Sequence, residues 1–472
     1  MKQLIKYGTV VTASDTVQVD ILLDGEKIAL LGENIVPTGD MQVVDAKGKY
    51  VLPGGVDVHT HFDLPMFGTV SSDNHYTGHK AAAFGGTTTV IDFVPMDDLS
   101  LKKMIDQWHT KAEKAAIDYG FHMNITKFGA DVLKQIPGLL DEGISSVKVF
   151  TAYNNNMRLM DDQIFEVMRV AAKHQMLTMA HVENGDVIDL LVNEALAEGH
   201  TAPIYHAETR PSWGAVEASL RAVALSAMAE APLYLVHMNA GGEVDQLAYA
   251  KDHGLAVYGE TCPQYLFFST DDLRKPDGAK WVCSPPMRTK NDADRLWDGI
   301  SDGTIDVMGT DHCAFYFDGR QSINYEGVPI AIPGKELGID DFTKIPNGLP
   351  GVGDRMPVLW TKAVNTGILS FNQFVAINCT NPAKLFGLYP KKGCILPGAD
   401  ADIVIWDPDK QVKYGVEVAQ HRTDYNLYQD WLLTGFPETV FLRGRKIVDD
   451  GNWLGERGYG EFQYRKTFSK QM

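Results

Sequence analysis

Val51-Leu52-Pro53-Gly54-Gly55-Val56-Asp57-Val58-His59-Thr60-His61 reads as an almost wholly apolar strand that ends on two histidines. A strand with one wet face alternates apolar and polar residues. A strand buried on both faces runs continuously apolar, and such strands belong to parallel sheets covered by helices. The same rhythm repeats along the chain. Strands are expected at Val51–Val58, Thr87–Phe93, Gly120–Ile125, Ser146–Ala152, Leu177–His181, Leu233–His237, Ala256–Glu260 and Asp306–Gly309. Helical patterns fall between them, at Leu101–Ala116, Asp161–Lys173, Trp213–Glu230 and Glu243–Lys251. Crossover helices force parallel pairing. Eight strands in this arrangement predict an α/β fold, a TIM-like (β/α)8 barrel over residues 51–389.

The two ends of the chain have a different texture. Leu4–Val11, Val19–Leu23 and Ile28–Leu31 are short strands separated by turn residues such as Asp24-Gly25. Strand signals return at Ala401–Trp406, Glu438–Leu442 and Arg445–Val448, after expected helices near Met356–Thr366 and Phe371–Ile377. Residues 1–50 and 390–455 are therefore expected to pair into one small sheet domain beside the barrel. Residues 456–472, rich in Gly and aromatics, form a tail that either packs on a neighbouring subunit or stays loose.

The 472 residues are 44% hydrophobic and 22% charged, the composition of an ordinary soluble globular protein with a large core. The formal net charge of -18 argues against nucleic acid and anionic membranes as partners. Cys262, Cys283, Cys313, Cys379 and Cys394 are scattered and form no C-x-x-C pair, which fits a reducing compartment. The N-terminus carries no apolar signal region, and no stretch has the length of a membrane span. A cytoplasmic protein is expected.

The chemistry lies at strand ends. Residues two apart in an extended chain point the same way, so His59 and His61 can face one ion at the barrel mouth. Taken alone, His-Thr-His describes two surface histidines at least as well. His181 and His237 end the fifth and sixth strands, and Asp311 follows the eighth. Functional groups of such barrels cluster at the carboxyl ends of strands. Imidazole and carboxylate ligands suit zinc, with manganese, cobalt or iron as alternatives. His79, His206 and His312 are ambiguous, while His109, His174, His200 and His253 read as solvated.

Lys148 stands inside Ser146-Val147-Lys148-Val149-Phe150, otherwise a buried strand. Burial lowers the pKa of an amine. The residue either reaches solvent, pairs with a carboxylate, or takes up carbon dioxide as a carbamate. A carbamate has two oxygens and one negative charge, which suits a bridge between two cations.

The order His59-x-His61, Lys148, His181, His237, Asp311 resembles the amidohydrolase superfamily in its cyclic-amidase branch. Within that branch the chain is similar to dihydropyrimidinases and bacterial hydantoinases over nearly its whole length. The matching stretches are Pro53–His61, Gly85–Thr89, Gly259–Leu266, Ser284-Pro285-Pro286 and Ile345–Gly348. The resemblance implies a barrel plus a β-sandwich built from both chain ends. It implies two divalent metal ions, probed first as zinc. His59, His61 and Asp311 would hold one ion, His181 and His237 the other, with carboxylated Lys148 and a hydroxide between them. Tyr153 would steady the developing oxyanion, and Ser284 and Asn347 would hold the ring amide through backbone groups. Asp311 would carry the proton from the attacking hydroxide to the leaving nitrogen. A homotetramer or homodimer is implied as well.

Dihydroorotases share the metal set but place an arginine two residues after the second histidine. Here that position is Asp63, so an uncharged ring is the expected substrate. Met66, Phe150 and Met157 match the positions that contact the substituent of 5-substituted hydantoins. Allantoinases remain an alternative. Non-catalytic structural relatives lose metal ligands, whereas all six positions are present here; mononuclear deaminases lack the bridging lysine. The stretch 315–341 is longer than in typical bacterial hydantoinases and reads either as a lid or as a passive surface insertion.

Overall fold

The computed structural model describes residues 2–469 apart from Asp40, Gln321, Glu326 and Gly327. The continuous apolar runs become eight strands of one parallel sheet: β1 (Gly55–Thr60), β2 (Thr87–Val94), β3 (Asp118–Asn124), β4 (Ser146–Phe150), β5 (Leu177–His181), β6 (Leu233–Leu235), β7 (Val257–Thr261) and β8 (Val307–Met308). They lie side by side in chain order. Every residue of β1 to β8 is buried, because the strands face the barrel interior on one side and helices on the other.

Closure happens at the seam between β8 and β1. Just beyond β8, the His61 amide donates to the His312 carbonyl at 2.8 Å, and the His312 amide donates to the His59 carbonyl at 3.2 Å. Under the seam lies Arg355, which is fully buried. Its Nη1 donates to the carbonyls of Val56 (3.0 Å) and Met308 (2.7 Å), and its Nη2 to the Thr87 hydroxyl at 3.0 Å. One guanidinium thus staples three barrel strands from below.

The expected strand Val51–Val58 is two strands. Tyr50–Pro53 pairs with Thr9–Val11 and Ile403–Lys413 in an outer sheet, and Gly55–Thr60 opens the barrel. Pro53 cannot continue a ladder, and at Gly54 any side chain would run into Thr88. The expected strand Leu4–Val11 divides likewise, with Tyr7 in the left-handed region (φ 66°). Lys2–Lys6 lies in a four-stranded sheet, between Asp20–Asp24 and Gln42–Asp45. Thr9–Val11 lies in a seven-stranded sheet completed by Ile403–Lys413, Leu432–Leu442 and Arg445–Asp449. Ile5, Val10, Ile21, Val51, Ile403 and Phe441 form the core between these two sheets, so both chain ends build one sandwich.

Lys392 ties this sandwich to the barrel. Its buried ammonium meets Asp402 (2.8 Å), Asp400 (2.9 Å) and Asp118 at the start of β3. The tail lies on its own barrel. Tyr119 and the segment at Glu461 and Gln463 exchange backbone hydrogen bonds of 3.0 and 2.7 Å, and Phe462 packs against Tyr119 and Phe121. In the stretch 315–341, Ile323–Tyr325 and Val328–Ile330 form an antiparallel hairpin whose connecting residues, Glu326 and Gly327, lie outside the described set. Among the described residues no helix is long and apolar enough to cross a membrane.

Replacing Arg355 with Met removes the guanidinium donor from two strand carbonyls and the nearby cation from Asp57. Loss of one partner from a buried charged network costs about 3–5 kcal/mol. The urea midpoint of Arg355→Met is expected to fall accordingly; a midpoint equal to the parent's would remove the seam role.

Candidate active site

The strand ends converge on the floor of a cavity of about 500 Å³. His59 and His61 project from the end of β1, Lys148 from within β4, and His181 from the last residue of β5. His237 and Asp311 stand two and three residues past β6 and β8, and both take left-handed backbone (φ 40° and 52°). Tyr153, three residues past β4, does the same (φ 66°). Such geometry costs a non-glycine residue about 1–3 kcal/mol and is held only where the surroundings over-determine it. Here it turns each side chain inward.

The donor atoms face one another. His59 Nε2 lies 3.1 Å from both Lys148 Nζ and Asp311 Oδ1. His61 Nε2 lies 3.1 Å from the same Asp311 oxygen. His181 Nδ1 and His237 Nε2 are 2.9 Å apart. His59, His237 and Asp311 each offer an atom within 4.8 Å of the others.

Buried carboxylates set the tautomers. Glu260 on β7 accepts from His59 Nδ1, from the Tyr234 hydroxyl at 2.9 Å and from the His237 amide at 3.2 Å. His59 Nε2 is therefore a lone pair aimed at Asp311. Glu183 accepts from His181 Nε2 at 2.9 Å, leaving the Nδ1 lone pair turned toward His237. Imidazole lone pairs and the Asp311 carboxylate converging within hydrogen-bond distance form a donor set that a cation would satisfy. The donor set therefore fits a divalent metal, and carboxylate partners behind the imidazoles are the usual support of such ligands.

Burial pushes the Lys148 amine down to about 8, although Asp311 and Glu260 pull the other way. Burial likewise takes His61 down to about 4. Burial and Glu183 raise the Tyr153 hydroxyl, which stays protonated at neutral pH.

Tyr153, Ser284 and Asn347 line the cavity, as do the apolar side chains of Met66, Phe150 and Met157, with Phe150 buried beside Lys148 and His181. The Ser284 hydroxyl accepts from Asn347 Nδ2 at 3.1 Å and lies 3.2 Å from His206 Nε2. All twelve residues singled out in the sequence are thus brought to this cavity or, for His59, directly beneath it. Asp63 is not on the cavity wall; its carboxylate bonds His75 and Lys114 at 3.0 Å and is held down at about 2. Cys313 lines the cavity, but burial and Asp311 keep its thiol protonated.

A scan against family models matches residues 50–447 to the amidohydrolase family. The chain belongs to the amidohydrolase family. It is 45% identical to a D-hydantoinase of Geobacillus stearothermophilus, over 100% of this chain and 98% of that one. A D-hydantoinase of Streptomyces coelicolor is 44% identical over 99% of this chain and 98% of its own. The crystal structure of a dihydropyrimidinase from Brevibacillus agri superposes with a TM-score of 0.95 at 46% identity, covering 99% of this chain and all of that one. The barrel and the sandwich of this chain both fall within the 99% that superposes on that structure.

Sequence reasoning assigned no role to Glu260, Glu183 or Asp57. Asp57 and Glu183 sit two residues from His59 and His181, on the same side of extended chain, and that spacing was a usable signal. Glu260 carried a signal too, as a carboxylate inside a buried strand. The ambiguous histidines are structural: His312 Nδ1 accepts the Gly351 amide at 3.1 Å, His79 accepts the Ile117 amide at 3.3 Å, and His206 bonds the Cys283 carbonyl at 2.8 Å. Glu260→Gln is expected to weaken metal binding about 10–100-fold, as loss of a carboxylate behind a ligating imidazole does. Competition with a chromogenic chelator measures it, and unchanged affinity would refute the role.

Proposed function

We propose that this chain is a dinuclear metal-dependent hydrolase that opens uncharged cyclic ureides and imides, namely dihydropyrimidines and 5-substituted hydantoins, to N-carbamoyl amino acids. The observation that carries the reading is one cavity lined by candidate metal ligands, a buried amine, polar side chains and apolar side chains. The family supports hydrolysis of cyclic amides, and the relatives named above are hydantoinases and a dihydropyrimidinase.

In this reading His59, His61 and Asp311 hold one ion and His181 and His237 the other. The Lys148 amine, neutral in part near pH 7, attacks carbon dioxide, forms an N–C bond and sheds a proton. The resulting carbamate lies between the two ligand groups. Bound zinc or manganese supplies Lewis acidity toward a carbonyl and lowers the pKa of water.

The chain's own groups do the rest. Asp311 takes a proton from the attacking water and returns it to the ring nitrogen as the amide bond breaks. Tyr153, kept protonated by burial, donates to the oxygen on which charge develops. Backbone groups of Ser284 and Asn347 hold the ring amide, and Met66, Phe150 and Met157 take the substituent. Two methionines make that wall adaptable. Asp63, turned away from the cavity, offers nothing to a substrate carboxylate.

Purified protein supplied with zinc or manganese and bicarbonate is expected to turn over hydantoin, phenylhydantoin and dihydrouracil. Allantoin and dihydroorotate complete the panel, and a preference for dihydroorotate would overturn the reading. Tyr153→Phe should lower kcat about 10²–10³-fold, the usual loss for one oxyanion donor. Lys148→Ala should lose the second metal by elemental analysis; full activity in that variant would refute the bridge.

A further inference from the structure

Lys335 follows the inserted hairpin, and its side chain leaves the surface entirely, with 1% of the residue exposed. Among the described residues no carboxylate pairs with it. Its Nζ instead donates to two backbone carbonyls, Val282 at 2.8 Å and Pro346 at 3.1 Å. These carbonyls lie two residues before Ser284 and one before Asn347. The Gly348 amide donates to the same Val282 carbonyl at 3.1 Å, so the two segments are joined directly and through the lysine.

The opposite side of the Ser284 segment is held by His206, whose Nε2 bonds the Cys283 carbonyl at 2.8 Å and approaches the Ser284 hydroxyl at 3.2 Å. The lysine backbone is fixed as well, its amide donating to the Tyr316 carbonyl at 2.8 Å. Glu336, the next residue, accepts the Gly319 and Gly334 amides at 2.9 Å and pins the base of the insertion.

A long, rotamer-rich cation is costly to bury without an acid beside it. Packing alone would be served better by Met or Leu. Two carbonyl acceptors on two separate segments, each adjoining a cavity-wall residue, give the burial a purpose. Burial brings the amine down to about 7, and both amine and ammonium carry enough N–H groups for the two acceptors.

We infer that Lys335 is a positioning residue that fixes the Ser284 and Asn347 backbones at the spacing needed to grip a cyclic amide. The inference rests on the functional reading above, in which those backbones hold the ring. It also gives the root of the insertion a part in ring binding, while the hairpin tip is left outside it.

The test compares Lys335→Met and Lys335→Gln with the parent, all metal-loaded, using hydantoin as the ring substrate and acetohydroxamate as a small metal-directed inhibitor. Lys335→Met should lose 20-fold or more in kcat/KM for hydantoin, mainly through KM. Lys335→Gln, whose amide can still donate to one carbonyl, should fall between. Metal content and the inhibition constant of acetohydroxamate should change less than twofold, because that probe needs no ring clamp. Folded variants within threefold of the parent would overturn the inference. Parallel loss for hydantoin and acetohydroxamate would overturn it too, as would failure of both variants to fold, since each assigns Lys335 to general stability. Absence of hydantoin turnover by the parent would instead sink the functional reading.

Discussion

Closure of the barrel at the β8–β1 seam is the constraint on which the site depends. His59 and His61 come from the first barrel strand and Asp311 from just after the last, some 250 residues later. They meet at 3.1 Å only because the His312 backbone completes the ring of strands beside Thr60. Arg355 secures the same seam from below, where no strand ladder does so. The ends of the sheet are therefore brought together by one peptide segment and one guanidinium, and the ligands ride on that junction.

A second layer of control is electrostatic. Glu260, Glu183 and Asp57 are buried carboxylates placed behind imidazoles or beside strand backbone. Glu260 and Asp57 each accept from several donors, and Glu183 accepts from His181; hydrogen bonding is the condition under which burying such a group is tolerable. Glu260 and Glu183 decide which ring nitrogen of His59 and His181 presents a lone pair, and Asp57 holds the His59 amide. The left-handed backbone at His237, Asp311 and Tyr153 acts alongside them, aiming side chains that the strands themselves do not reach.

Much of this was legible in the residues. Continuous apolar runs separated by helical segments mark the barrel, and His59, His61, His181, His237 and Asp311 share a register at strand ends. The metal-ligand reading of Lys148 rested on family resemblance, since burial alone left solvent contact and ion pairing open. Strand boundaries failed at Pro53–Gly54 and at Tyr7–Gly8, because an apolar strand looks the same in a barrel as in a sandwich. Local sequence could not reveal Arg355 or Lys335. Four of their five partners are backbone carbonyls, and a carbonyl carries no sequence signature. The histidines that proved structural were ambiguous for a similar reason, since backbone amides and carbonyls set their roles.

The sandwich has an implication for the order of events during synthesis. Tyr50–Pro53 is flanked in its sheet by Ile403–Lys413 on one side and Thr9–Val11 on the other. A ribosome makes the first of these neighbours some 350 residues after Tyr50 itself. Until then Tyr50–Pro53 presents an open hydrogen-bonding edge, the kind of surface that invites association with other nascent chains. The barrel strands emerge in the interval, in the order in which they pair. The strands of the first fifty residues find one another early, but the seven-stranded sheet is complete only when Ile403–Lys413 takes its place beside Tyr50–Pro53.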